Sequence, residues 1–167
     1  LDVDGDGSPE TDHIRLNLSN LAGDFDGFWN DTAPTDASFT VGTSANTNGS
    51  GQTYIAYLFA SLDGVSKVGS YTGTGGTAQT IDCGFTTGAR FVLIKETDGV
   101  DPTDLHWFVW DSVRGITTSS DPYLKLDVAE AEETTYDGVS TSPSSSGFTV
   151  QQMQYSVPIN RGGKNYI

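Results

Sequence analysis

Apolar residues in this chain fall into short alternating or continuous runs. Gly, Pro, Asn, Asp, Ser and Thr separate them, and nowhere does a 3.6-residue spacing persist over three turns. That pattern predicts strands joined by turns. Strands are expected at Ile14–Leu18, Phe39–Val41, Tyr54–Phe59, Val68–Thr72, Gln79–Phe85, Phe91–Ile94, Leu105–Asp111, Tyr123–Val128 and Gly147–Gln152. Phe91–Ile94 (FVLI) is uniformly apolar, which suits a central strand buried on both faces. Leu105–Asp111 (LHWFVWD) carries aromatic residues on both faces, so it is buried on both sides or forms an exposed ridge. Gly73–Gly76 reads as a hairpin-type turn, and the absence of Gly-Lys-Ser/Thr removes a phosphate-loop reading. The AEAEE run from Ala129 is the only helix-favouring stretch, enough for one turn or an acidic loop. The class this predicts is all-β.

Part of the pattern occurs twice. TAPTDASFTV (Thr32–Val41) aligns without a gap on TSPSSSGFTV (Thr141–Val150), and GQTYI (Gly51–Ile55) answers GKNYI (Gly163–Ile167). Ile14–Leu18 resembles Tyr123–Val128 in the same order. Phe39 and Phe148 are 109 residues apart and Tyr54 and Tyr166 are 112 apart, a period the size of a domain. The expected organisation is about one and a half tandem copies of an antiparallel β-sandwich, jelly-roll or lectin-like. Residues 1–64 would be the C-terminal part of a first copy, opening with an acidic loop. Residues 65–167 would be a second copy that stops where the equivalent of Ala56–Ala60 should follow. The expectation is a window on a longer repetitive polypeptide, with strands shared between neighbouring units.

Charge narrows the partners. With 22 acidic and 8 basic residues the net charge is −14, which argues against binding nucleic acid phosphates or an anionic membrane surface. Such a surface keeps repetitive β proteins soluble and discourages edge-to-edge pairing. Cys83, the single cysteine, permits no intrachain disulfide, and its setting in TIDCGF suits a small core residue.

Candidate chemistry is sparse. Asp2, Asp4 and Asp6 alternate before Gly7, with Glu10 and Asp12 beyond, a spacing similar to the Asp-x-Asp-x-Asp-Gly calcium loops of EF-hand, dockerin and thrombospondin type 3 proteins. His13 stands where an EF-hand places its bidentate Glu, so a Ca²⁺ site and a solvated acidic turn are both consistent with it. Phe25, Phe28 and Trp29, set among turn residues, read as a core-capping loop or a sugar-stacking platform. Trp29, Trp107, Trp110 and Tyr123 are the candidate ligand-stacking residues. Asn17, Asn30 and Asn48 head Asn-x-Ser/Thr triplets, relevant only in a eukaryotic secretory setting. No nucleophile elbow, zinc motif or dinucleotide fingerprint is present, and His106 lacks a partner within any motif. The expectation is a protein that is not an enzyme and needs no cofactor other than Ca²⁺.

Several ordered blocks resemble a domain of tailed-phage virion proteins, particularly tail-fibre-like proteins of marine and environmental phages. These are Trp29–Gly42, Tyr54–Gly76, Ile81–Asp98, Trp107–Ile116, Asp121–Asp127 and Ser146–Val150. The resemblance implies a structural or adhesive part of a virion fibre, a rigid spacer or host-surface binding module at the virion surface. Its partners would be copies of itself, adjoining virion domains and cell-surface glycans. The alternatives are an extracellular carbohydrate-binding module and a subunit of a non-phage filament or surface layer.

Overall fold

The computed structural model describes residues 7–8, 10–99, 105–117, 121–134, 139–152 and 157–167. All-β is what it shows. Among the described residues there are ten strands, β1 (Asp12–His13), β2 (Gly23–Asp24), β3 (Tyr71–Thr72), β4 (Gln79–Asp82), β5 (Phe91–Ile94), β6 (Phe108–Asp111), β7 (Leu124–Lys125), β8 (Val139–Ser144), β9 (Gly147–Gln152) and β10 (Asn165–Tyr166), and, between β2 and β3, two single helical turns, α1 (Asp26–Trp29) and α2 (Ala45–Asn48).

The described strands pair antiparallel throughout. One sheet runs β4-β9-β8, with Ile81 opposite Phe148 and Gln79 opposite Val150. Another runs β5-β6-β7, with Val92 opposite Trp110. β10 links β3 to the chain beyond β5: Tyr166 lies opposite Tyr71 on one side and bridges Glu96 on the other. Reciprocal bonds between Lys95 and Ile167 (2.9 and 3.0 Å) and a bond from Thr97 N–H to the Asn165 carbonyl (2.9 Å) complete that join. Side chains from both groups of strands form one core of Val92, Ile94, Phe108, Trp110, Phe148, Val150, Val157, Ile159 and Tyr166, with Ala89 and Tyr123.

Glycine is required where β9 meets β4. A Cβ on Gly147 would lie 2.0 Å from the Ile81 carbonyl oxygen, so any side chain there would push the two strands apart. Gly73 has the same role, since its Cβ would lie 2.2 Å from the Arg161 carbonyl oxygen. The Gly73–Gly76 turn does not make a hairpin between its flanking strands, because β3 goes to β10 and β4 to β9. Buried Asn160 holds it instead. The Asn160 Oδ1 accepts from Thr74 N–H (2.8 Å) and its Nδ2 donates to the Thr77 carbonyl (2.8 Å).

Several expected strands take another form. Ile14–Leu18 is turn and coil, and pairing in that region is confined to β1 with β2. Phe39–Val41 and Tyr54–Phe59 are coil and belong to no ladder. A strand needs a partner for its backbone groups, and no described strand pairs with either segment. AEAEE is not helical; its last residue, Glu133, bridges Tyr123. The FVLI strand alternates, with Val92 and Ile94 buried and Phe91 exposed, rather than being buried on both faces. The Leu105–Asp111 segment is buried on both sides: Trp107, Phe108, Val109 and Trp110 are all in the interior.

Candidate functional site

The aromatic candidates separate by burial. Trp110 is fully buried, 6.0 Å from Phe108 and 5.8 Å from Tyr123 between ring centroids, and Tyr123 is also in the core. Trp107 is buried, donates its Nε1–H to the Arg15 carbonyl (2.9 Å) and lies under the Lys95 ammonium at 5.7 Å. A ring that is enclosed on both faces cannot stack on an external sugar, so these three are core residues rather than a stacking platform. Trp29 alone stays half-exposed.

Trp29 lines an open groove of about 370 Å³ with His13, Arg15, Asn17, Asn46 and Thr47. Local geometry builds it. Asn30 takes a left-handed conformation (φ 55°) that ends α1. Gly42 and Ser44 then donate to the Phe28 and Gly27 carbonyls (2.7 and 2.9 Å), laying α2 beside α1. The indole Nε1–H of Trp29 donates to the Asp12 carbonyl (3.1 Å), and His13 packs edge-on against Phe28 at 4.5 Å. His13 Nδ1 is buried without a hydrogen-bond partner among the described residues. Burial, and then the charge of Arg15, lower the imidazole pKa, against Gly23, Asp12 and Asp24, which raise it.

The acidic loop is only partly in view. Asp2, Asp4 and Asp6 lie outside the described residues; Glu10 is half-buried in a turn, and Asp12 is buried in β1. Among the described residues no three His, Cys, Asp or Glu side chains gather in a metal-holding group.

Two buried polar constellations were not legible from spacing. His106, which no motif supplied with a partner, has one 21 residues on: its Nδ1 is 2.9 Å from Asp127 Oδ2, and Asp127 Oδ1 accepts the Trp107 N–H (3.2 Å). The second surrounds β10. Tyr166 stacks on Tyr71 at 4.9 Å, donates its hydroxyl to Glu96 Oε2 (2.9 Å) and accepts the Arg161 N–H (2.8 Å). The Arg161 guanidinium lies 3.5 Å from Glu96 Oε1. Burial raises the Glu96 carboxyl, against the Tyr166 hydrogen bond and Arg161, which lower it. Burial likewise raises the Tyr166 phenol, with the Glu96 charge adding to it. Lys95 next to it is fully buried, donates to the Leu105 carbonyl, and burial depresses its ammonium to about 8. Asp127, Tyr166 and Lys95 are each tied to backbone just outside the strands, at Trp107, Arg161 and Leu105, which holds the connecting segments against the sheets.

Among the described residues, the longest continuous run of exposed apolar side chains centres on Ile55–Phe59. Ile55, Tyr57, Leu58 and Phe59 are between 75 and 83 % exposed, and Leu62 and Val65 continue the patch. The segment is anchored at both ends. At one end the Tyr54 hydroxyl donates to the Ala45 carbonyl (2.6 Å) and accepts from Gly49 N–H (2.7 Å). At the other, Leu62 and Ser66 bridge in a tight turn, and the Ser61 hydroxyl bonds both N–H and C=O of Val68 (3.0 and 3.2 Å). Between the anchors, no backbone group of residues 55–59 bonds another described residue.

Residues 5–167 match the family model described as "Domain of unknown function (DUF7483)". The chain belongs to that family. The match begins within the acidic loop and includes both the exposed segment and its near-copy at β10. No curated protein and no solved structure matches the chain. Among the described residues no helix is long and apolar enough to cross a membrane.

Proposed function

We propose that this DUF7483 domain is a non-enzymatic structural or adhesive module of a fibre-like surface assembly, a tailed-phage virion fibre in particular, with copies of itself as partners. The observation that carries the reading is the Ile55–Phe59 ridge. A chain of net charge −14 that still presents a contiguous apolar run has a surface suited to another protein, because such patches are rarely left in water. The sequence repeat supports self-association, and the phage resemblance supplies the setting. The test is gold labelling, with an antibody to the domain, of particles and cells producing the full-length polypeptide. Label along virion fibres is expected. Label confined to the cell interior, or turnover of glycan or ester substrates by the purified domain, overturns the reading.

A second reading, an extracellular carbohydrate-binding module, is favoured by the Trp29 groove. An indole face flanked by Asn17, Asn46 and Arg15 combines a stacking surface with amide and charged donors, the usual chemistry of a sugar site. Binding on a glycan array that is lost in Trp29→Ala supports it, and an array without signal removes it.

A further inference from the structure

We infer that the Trp29 groove is a subsite for an acidic saccharide, with the carboxylate of a uronic acid on the Arg15 guanidinium and its sugar ring on the Trp29 indole. This deepens, and rests on, the reading of that groove as a sugar site.

Charge selects the acid. The chain has 22 acidic residues and 8 basic ones, yet no described acidic side chain lines the groove. Most cations elsewhere are already engaged. Arg114 pairs with Asp111 and Glu132, Lys125 with Glu130 and Arg161 with Glu96, while Lys95 and Lys164 donate to backbone carbonyls. The exposed Arg15 side chain makes no ion pair or hydrogen bond with any described residue. Lys67 and Arg90 share that state but lie outside the groove. A guanidinium fork takes a planar carboxylate through two parallel hydrogen bonds, so Arg15 is a seat for one supplied from outside.

The neutral part of the groove supplies what a sugar ring needs. The Trp29 Nε1–H is committed to the Asp12 carbonyl (3.1 Å), so the indole contributes a fixed apolar surface rather than a donor. Ile14 and Leu18 extend that surface. The exposed Asn17 and Asn46 bring side-chain amides that bond no described residue, each with donors and an acceptor for ring hydroxyls. At about 370 Å³ the groove falls within the range of small-molecule sites.

The backbone of both walls is tied down. The Arg15 carbonyl accepts from the Trp107 indole (2.9 Å) and from Leu18 N–H (3.4 Å), which fastens one wall to a core residue. On the other side the Thr47 hydroxyl donates to the Phe28 carbonyl (3.3 Å), and Asn48 Nδ2 donates to the Gly42 carbonyl (2.8 Å). Fixed walls carrying uncommitted polar side chains leave little ordering for a ligand to impose. The net charge of −14 opposes an anion at long range. At physiological salt that opposition is screened over about 8 Å, so the direct contact with Arg15 decides.

Tryptophan fluorescence and calorimetry on the full chain read the binding. The probes are oligosaccharides of galacturonic, glucuronic, mannuronic and guluronic acid, and their methyl esters, which keep the rings and remove the charge. At least one acid is expected to bind about five- to tenfold more tightly than its ester, the scale of a hydrogen bond to a charged group. Arg15→Gln should erase that difference by weakening the acid alone, and Asn46→Ala should weaken acid and ester equally. Both replace exposed side chains without bonds to described residues, and an unchanged far-ultraviolet spectrum confirms that the fold is kept. Equal binding of acid and ester, or an acid preference that survives Arg15→Gln, overturns the inference. If that binding is still lost in Trp29→Ala, the sugar reading stands without the acid. Binding of none of these probes overturns the inference, and a glycan array that is also blank removes the sugar reading with it.

Discussion

Two regions of this molecule share a sequence pattern and meet opposite fates. Phe39 is 43 % exposed and Phe148 9 %, although each sits in the same Phe-Thr-Val triplet five residues after a proline. Val41 and Tyr54 are exposed, whereas their counterparts Val150 and Tyr166 are fully buried. The difference lies in what stands beside them. Phe148 and Val150 sit in β9 between β4 and β8, and Tyr166 lies between Tyr71 and Glu96. No described strand reaches residues 39–41 or 54–59. Alternation of apolar residues thus specifies a strand only once a partner meets its backbone groups and covers one face.

The sharpest way to break the comparison is at the tyrosines. Tyr166→Ala removes a buried ring stacked on Tyr71 and leaves Glu96 and the Arg161 N–H without the hydroxyl. A loss of about 3–5 kcal/mol in urea unfolding is expected, the usual cost of deleting a buried aromatic side chain. Tyr54→Ala removes a half-exposed ring and two local hydrogen bonds, and should cost less than about 1 kcal/mol. Equal losses would mean that the two copies are equally integrated into the fold.

Asn160 tests the loop that precedes β10, where the second copy has three more residues than the first between its valine-containing strand and its Gly-x-x-Tyr-Ile element. Asn160→Ala deletes a fully buried side chain and leaves the Thr74 N–H without its acceptor, in a turn whose own residues are mostly exposed. The expected loss is about 1–3 kcal/mol by the same denaturation assay. The Thr77 carbonyl keeps its bond from the Thr74 hydroxyl, so the lower half of that range is favoured.

Lys95 sharpens the comparison through pH, because it is the residue that pairs with Ile167 and has no counterpart beside Ile55. Burial, opposed by Asp127 and Glu96, holds its ammonium at about 8 in the fold against an ordinary 10.5. Between those values the unfolded chain binds the proton and the folded chain does not, so this group favours the fold increasingly as pH rises from about 8. That contribution is complete above the ordinary value and is lost as pH falls through about 8. Lys95→Met should remove the rise. Urea midpoints at pH 7.5 and 9.5 for the two proteins check it, and parallel changes would show that Lys95 does not titrate in this range.

Much of the fold could be read from patterning, and most of the polar chemistry could not. Phe91–Ile94, Leu105–Asp111, Gln79–Phe85 and Gly147–Gln152 each contain a strand of the structure, because apolar alternation there coincides with burial against the core. Phe39–Val41 and Tyr54–Phe59 carry the same signal, but a partner strand is a long-range fact that no window of residues contains. The tryptophans illustrate the same limit. Spacing made Trp107, Trp110 and Trp29 equivalent candidates, and only packing separates the half-exposed indole from two in the interior. The pairing of His106 with Asp127 and of Glu96 with Tyr166 spans 21 and 70 residues, so neither forms a sequence motif. Asp2, Asp4 and Asp6 lie outside the described residues, and their reading as Ca²⁺ ligands rests on spacing.

The smallest expected effect is also the most discriminating. Leu58→Asp replaces a side chain that is three-quarters exposed, so the stability of the isolated chain should change by no more than about 0.5 kcal/mol. Its opposite number in the core, Val150→Asp, would place a carboxylate in the buried cluster and should prevent folding. Leu58 is an exposed apolar residue in a chain with 22 acidic ones, where a polar residue would serve folding equally well. That choice is explained if the side chain is covered after folding, by contact with another molecule. Light scattering on the two proteins at rising concentration should therefore separate what denaturation cannot. The unmodified chain should gain mass while Leu58→Asp stays monomeric. If both behave alike, Ile55–Phe59 is an exposed loop, and the missing partner strand has no bearing on assembly.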